Sequence, residues 1–371
     1  MARVVVGMSG GVDSSVAAAL LKEQGYDVVG IMLRLWAEPP ADGEDVDDAA
    51  PARENACCSI ESLSDARRVA AQLDIPFYVI NVEEPFRETI VDYFYDEYRA
   101  GRTPNPCLRC NRTIRFTLLL ERALALGADY LATGHYVRVD DDPVMRLRRL
   151  RRASDSAKDQ SYVLHVLSQY QLSHALFPLG EYTKPEVRAM AAERGLPVAT
   201  KAESQEICFV AANDYRGFVR RYAEARGMPA PESGPILDLS GRQLGAHSGL
   251  ANYTVGQRKG LGIAAREPLH VLQLDGARNA VIVGPAAALE RDVFMVHQTT
   301  WTRDTPPDGP VRVEVKVRYK AQPVRGVVTP LPNGRAEVAL EQPIRAVTPG
   351  QAAVFYGGAE GDEVLGGGLI E

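Results

Sequence analysis

The stretch GMSGGVDSS, residues 7–15, follows the apolar run RVVVG at 3–7 and opens the helical pattern DSSVAAALLKEQG at 13–25. A strand–loop–helix junction of this kind gathers backbone N–H groups and the positive end of a helix dipole at one point, which favours phosphate. Gly7, Gly10 and Gly11 let the backbone close on an anion, Met8 and Val12 lie within the same turn, and Ser9, Ser14 and Ser15 add hydroxyl donors. The stretch lacks the Lys-Ser/Thr ending of the Walker loop, so a kinase or GTPase reading is poor.

Working outward, DVVGIML at 27–33, PFYVINV at 76–82 and DYLATGHY at 129–136 read as strands, separated by the helical patterns SIESLSDARRVAAQLD and RFTLLLERALALGA. This alternation predicts an α/β unit with a parallel sheet covered on both faces, its ligand crevice beyond the carboxyl ends of the strands. Within that frame Ser-Gly-Gly-x-Asp-Ser resembles the PP-loop of the ATP pyrophosphatases. These enzymes hold a β,γ-pyrophosphate while the α-phosphate is attacked. Past TKAESQEICFV at 200–210 the texture becomes mixed, and from about 290 it is β. In VRVEVKVRYK at 311–320, valines alternate with charged residues at a period of two, and PNGR at 332–335 signals a hairpin. A small β-barrel is expected there. Three domains follow: catalytic over 1–208, small and mixed over 209–285, barrel over 286–371. The acidic insert at 37–54 reads as a mobile surface loop.

With 371 residues, 46% apolar and 24% charged, the chain reads as a soluble multidomain protein. No apolar run is long enough for a membrane span, and the first residues read as a strand rather than a signal peptide. No membrane partner and a cytoplasmic location are expected. A net charge of −6 argues against indiscriminate nucleic-acid binding but leaves room for a local basic face. RLRRLRR at 146–152 is either such a face or a solvated run.

Five cysteines, spread over a long chain, do not form a secreted disulfide framework. Cys107 and Cys110 lie in TPNPCLRCNRTIRF at 103–116. Zinc would need two further ligands, and the adjacent Cys57 and Cys58 chelate one metal awkwardly. A thioredoxin-type pair would open a helix directly after a strand, whereas prolines precede this one. A third reading is the nucleophile that adenylation chemistry leaves unnamed, with Cys110 flanked by Arg109 and Arg112 and with Arg102 and Arg115 nearby in sequence, all of which would favour a thiolate if close in space. Cys208, between Ile207 and Phe209, reads on its own as a small buried hydrophobe.

GMSGGVDSS, GRTPNPCLRCN, ATGHY, KDQSY, SQEICF, VGQRKGLG, VRYK and TPGQAAVFY together resemble, in the same order and along nearly the whole chain, the bacterial tRNA-specific 2-thiouridylases. That resemblance implies an adenine nucleotide alpha hydrolase-like catalytic domain and ATP-dependent 2-thiolation of the wobble uridine. By the family pattern Cys110 is the nucleophile and Cys208 carries a persulfide. ATP, with Mg2+, would lie along Gly7, Met8, Ser9, Gly10, Gly11, Val12, Asp13 and Ser14, with Leu33 and Gly134 at the adenosine. Asp13 would assist as metal ligand or base, or merely cap the helix. The tRNA anticodon arm would meet Asn105, Pro106, Cys107, His135, Lys158, Asp159, Gln160, Arg318, Tyr319 and Gln351. A second protein would deliver the persulfide sulfur. Where relatives read Asn-Pro-Asp this chain has Asn-Pro-Cys, and the resulting CxxC admits a rival. In it Cys107, Cys110 and Cys208 would ligate an iron–sulfur cluster. A small-metabolite synthetase explains only the loop, and a zinc-stabilised RNA-binding module explains only the CxxC and the arginines.

Overall fold

The computed structural model describes residues 1–38, 59–203, 207–228, 232–345 and 347–371. The insert expected at 37–54 therefore falls largely outside the described residues, as do Cys57 and Cys58. Among the described residues the strands form three sheets.

The first is parallel and five-stranded. It comprises β1 (Arg3–Gly7), β2 (Asp27–Arg34), β3 (Phe77–Asn81), β4 (Tyr130–Ala132) and β7 (Ala175–Leu176), in the order β3-β2-β1-β4-β7. Val4, Val5 and Val6 are buried, as a central strand covered on both faces requires. Helix α1 (Val12–Glu23) packs its Val16, Ala17, Ala18 and Leu20 into one core. The order reverses between β1 and β4, which opens a crevice beyond their carboxyl ends. Residues 7–15 leave β1 there, and Thr133 to His135 leave β4.

The second sheet, of β8 (Gly234–Leu237), β9 (Gln243–His247), β10 (His270–Asp275) and β11 (Ala280–Gly284), is mixed and small. The third begins as a closed antiparallel barrel of β12 (Glu290–Trp301), β13 (Val311–Lys316), β14 (Val324–Leu331), β15 (Arg335–Arg345), β16 (Ala352–Gly357) and β17 (Glu363–Ile370). Val313, Val315 and Val317 are buried as the alternation predicts. Asn333 and Gly334, at φ of 61° and 66°, make the hairpin turn between β14 and β15.

The sequence gives little warning of how firmly barrel and catalytic unit are joined. β5 (Val137–Asp141) and β6 (Arg148–Arg152) form a hairpin that adds to β17, pairing Arg151 with Glu363. Four arginines of the run, Arg148, Arg149, Arg151 and Arg152, lie on β6 of this hairpin and pair with carboxylates. Arg149 and Arg151 bind Asp140, Arg151 binds Asp362, and Arg152 binds Glu314 at 3.0 Å while its guanidinium lies 3.9 Å from the Tyr356 ring centre. Arg151 and Arg152 fasten the hairpin to the barrel, whereas Arg148 and Arg149 pair with Asp141 and Asp140 of the hairpin itself. Ala352, Val354, Tyr356 and Val364 of the barrel share one core with Val5, Leu131, Val137 and Tyr162. No helix is long and apolar enough to cross a membrane among the described residues.

Candidate active site

At the end of β1 the chain turns through Gly10, whose φ of 70° is costly for any residue with a Cβ. A Cβ there would also run into the carbonyl of Ser62. Helix α1 is capped by Gly11 with no side-chain bond, so its first N–H groups are left for an anion. Asp13 is not the cap. The hydroxyls differ from expectation too. Ser15 is fully buried and donates to the Gly11 carbonyl at 2.8 Å, and Ser14 donates to the same carbonyl at 3.2 Å while accepting from the Ser9 N–H. These two serines shape the loop from within, leaving Ser9 and the backbone to face the crevice.

Asp13 is held by two side chains distant in sequence. Lys184 Nζ lies 2.7 and 2.8 Å from its oxygens, and the Tyr136 hydroxyl donates to it at 2.8 Å. Lys184 also reaches Glu203 at 3.1 Å, and Lys158 meets Glu203 at 2.5 Å. Glu203 is drawn down to about 2: burial opposes this, but the bonds from Lys158 and Lys184 outweigh it. Gly134 presses on the start of α1, where an added Cβ would stand 2.7 Å from the Asp13 carbonyl carbon and 2.8 Å from the Ser14 nitrogen. Leu33 lies near the end of β2, paired with Ile80.

The CxxC segment is a helix, Pro106–Cys110, rather than a loop. Pro106 occupies its first turn, where a missing N–H costs nothing, and Asn105 caps it by accepting from the Cys107 N–H at 3.1 Å. It runs directly into a π-helical stretch, Asn111–Leu119, a local widening that recurs at functional sites. Cys107 is exposed, whereas Cys110 and Cys208 are half-buried. Both Cys110 and Cys208 pack against one aromatic cluster built on Phe86, Phe94, Phe209 and Phe218. Two thiols 98 positions apart in the chain thus come to the same wall.

Cys107 faces another way, among the charges that raise the Tyr319 hydroxyl. Burial is the largest cause there, followed by Asp159, Cys107 and Glu203. Around it, Gln351 Nε2 donates to the Thr103 carbonyl at 2.9 Å, Arg318 donates to Thr348 at 2.8 Å, and the Tyr319 ring lies 6.2 Å from that of Tyr162. Residues near 105, 158, 318 and 351 therefore form one face across two domains.

A family model described as "tRNA methyl transferase HUP domain" matches residues 2–212, a PRC-barrel domain model of the same series matches 221–285, and an aminomethyltransferase beta-barrel domain model matches 291–370. The tRNA-specific 2-thiouridylase MnmA of Chloroflexus aggregans is 52% identical over 373 residues, spanning 100% of this chain and 98% of that protein. The protein of the same name from Moorella thermoacetica is 50% identical over 367 residues, spanning 99% of each. The chain belongs to the tRNA-specific 2-thiouridylase family.

Several residues that the 2-thiouridylase pattern marks also make bonds that hold the fold around the site. His135 is buried, bonded to Thr133 Oγ1 at 2.7 Å and to Arg115 at 3.2 Å. Asp159 is buried and accepts from the N–H groups of Ala153 and Ser161, and Gln160 accepts from the Tyr136 N–H at 2.9 Å. Asp159 and Gln160 thus hold local backbone, whereas both bonds of His135 run to side chains. Three of the four arginines near Cys110 in sequence have partners elsewhere: Arg102 pairs with Glu97, Arg109 bonds the Thr89 carbonyl and stacks on Tyr93, and Arg115 bonds His135. Arg109 and Arg112 instead line a cavity of about 220 Å³ between the CxxC helix and β17. For iron, no three His, Cys, Asp or Glu side chains gather as a metal-holding group among the described residues. Sequence reading missed Lys184, Tyr136 and Glu203. Tyr136 stands in the quoted ATGHY, but Lys184 in YTKPEV reads only as a helix start.

The buried histidines carry a testable consequence. Burial holds His135 down at about 3 and His165 at about 4, with Arg115 and Arg112 as positive neighbours. The unfolded chain takes up protons at these residues below about 6.5, and the fold refuses them. Stability therefore falls as pH drops from about 6.5 toward about 3, by up to about 1.4 kcal/mol per unit for each ring. His135→Gln should lessen the fall in unfolding midpoint between pH 7 and 5. Parallel curves for variant and wild type would contradict the assignment.

Proposed function

We propose that this chain catalyses ATP-dependent 2-thiolation of the wobble uridine of tRNA. The observation that carries the reading is the pairing of an unoccluded helix start beyond β1 with two half-buried thiols, Cys110 and Cys208, on one aromatic wall. Full-length relatives at 52% identity bear the name of that activity.

In this reading ATP lies along residues 7–14 with its adenosine toward Leu33 and Gly134, and Mg2+ arrives on the triphosphate. Asp13 already has both carboxylate oxygens committed to Lys184. The uridine O2 attacks the α-phosphorus and pyrophosphate leaves, which turns O2 into part of an AMP leaving group. A donor protein loads Cys208 as a persulfide. Cys110 thiolate attacks the Cys208 sulfur, releasing hydrosulfide and forming a Cys110–Cys208 disulfide. Hydrosulfide then displaces AMP from C2. Alternatively the terminal sulfur attacks C2 first and Cys110 releases the thiolated base with the same disulfide. Either course ends in a disulfide that an external thiol must reduce. The persulfide course suits the arrangement better than a cluster on Cys107, Cys110 and Cys208.

The face around Tyr319, Arg318, Lys158 and Gln351 would grip the anticodon arm, where an aromatic ring and a guanidinium can stack on an unpaired base. A base splayed from its stack suits a pocket between two domains. The cytoplasm is the expected compartment.

The test incubates the protein with ATP, Mg2+, a sulfide source and unmodified tRNA, followed by nucleoside digestion. One AMP per 2-thiouridine is expected. ATP turnover without thiolated RNA, stimulated by a small amine or acid, would favour a metabolite synthetase.

A further inference from the structure

The nucleotide loop contains no lysine, yet a lysine from a distant helix reaches it. Lys184 opens the helix Lys184–Glu193 and is only 7% exposed. Its ammonium lies 2.7 Å from Asp13 in the first turn of α1 and 3.1 Å from Glu203. The Tyr136 ring centre is 5.8 Å away.

Nothing in its own helix calls for this placement. Thr183 and Glu186 already form the capping box, and a cation at a helix N-terminus runs against the dipole. Withdrawing an ammonium from water is costly, and only well-placed partners repay it. Asp13 and Glu203 are such partners, and they come from two different segments. What they hold in place borders the anion cradle at Gly10 to Ser14. Asp13 stands inside that cradle's first helical turn, and Gly134, against its backbone, brings the other wall. Departure of pyrophosphate builds negative charge, and a fixed cation stabilises charge that develops in a transition state without having to reorganise.

We propose that Lys184 is the cation this loop lacks: Asp13 and Glu203 hold its ammonium at the cradle, where it contacts the β,γ-phosphates and neutralises the departing pyrophosphate. The inference rests on the nucleotide reading given above. The bond between the α-phosphorus and the bridging oxygen breaks, its electron pair leaves on pyrophosphate, and Lys184 stays protonated throughout. Asp13 is then a positioning residue and not the base.

The test compares affinities for ATP and AMP, by displacement of a fluorescent adenine nucleotide, in the wild type and in Lys184→Met, Lys184→Arg and the double variant Asp13→Asn/Lys184→Met. The double variant leaves no uncompensated Asp13 carboxylate if the single one folds poorly. Loss of Lys184 should weaken ATP at least tenfold while AMP, which lacks the contacted phosphates, changes less than twofold. Arginine should recover part of the loss. Equal losses for ATP and AMP, or an unchanged ATP affinity, would overturn the proposal and leave Lys184 a structural residue. A wild type that binds neither nucleotide would overturn the nucleotide reading itself and this inference with it, so the wild-type arm reports on the one and the ATP-to-AMP ratio on the other.

Discussion

Cys208→Ser is expected to abolish sulfur transfer from a persulfide-bearing donor, a fall of at least about 10³-fold, and Cys110→Ser to do the same. A serine hydroxyl carries no transferable sulfur and cannot close a disulfide. The replacement is nearly isosteric, and both positions lie at the edge of the aromatic cluster rather than among its fully buried rings, so the fold should stand. Binding of tRNA should change less than threefold, because the face around Arg318, Tyr319 and Gln351 belongs to other segments. The two variants separate when free sulfide replaces the donor. Cys208→Ser should then regain thiolation, since sulfide bypasses the relay. Near-normal transfer from the donor by Cys208→Ser would remove the persulfide assignment. Iron in the purified wild type, lost together with activity in the variant, would make these thiols ligands.

Gly134→Ala should lower ATP affinity by at least about 30-fold and destabilise the fold by about 1–3 kcal/mol, the usual range for overpacking. The added methyl would run into the peptide between Asp13 and Ser14, 2.7 Å from the Asp13 carbonyl carbon and 2.8 Å from the Ser14 nitrogen. Flexible side chains can yield to such a contact, but the first turn of α1 cannot move without shifting the N–H groups that would receive phosphate in the proposed reading. Gly10→Ala adds a conformational penalty to a clash with the Ser62 carbonyl, since its φ is 70°. Nucleotide titration and a thermal melt decide both. A Gly134→Ala protein with normal ATP affinity would show that the nucleotide does not rest on the start of α1.

Much of this was legible beforehand, for local reasons. An apolar run before a glycine-rich turn specifies a strand leading into a helix start, and the bonds involved are short in sequence. The valine alternation at 311–317 fixes one buried face of a strand, because side chains alternate across a sheet. The Asn333–Gly334 turn was legible because few residue pairs tolerate two positive φ values. The thiols were found as candidates by type. That the two act together was an expectation from family resemblance alone.

Arg146 to Arg152 show where such reading ends. Local charge density is the same for a phosphate-binding stripe and for a set of ion pairs, and only the distant Asp362 and Glu314 decide between them. The arginines near Cys110 make the same point, since Arg102, Arg109 and Arg115 each find a different partner, Glu97, the Thr89 carbonyl and His135. The sequence by itself determined the anion-binding turn, the parallel α/β unit and the barrel, because each follows from the periodicity and turn chemistry of contiguous residues. Only the tertiary structure decided that Lys184 faces Asp13, that β5 and β6 fasten the barrel to the catalytic unit, and that Cys110 and Cys208 share a wall. Each of those is a contact between segments tens to hundreds of residues apart, and long-range packing leaves no mark in the local pattern of either partner.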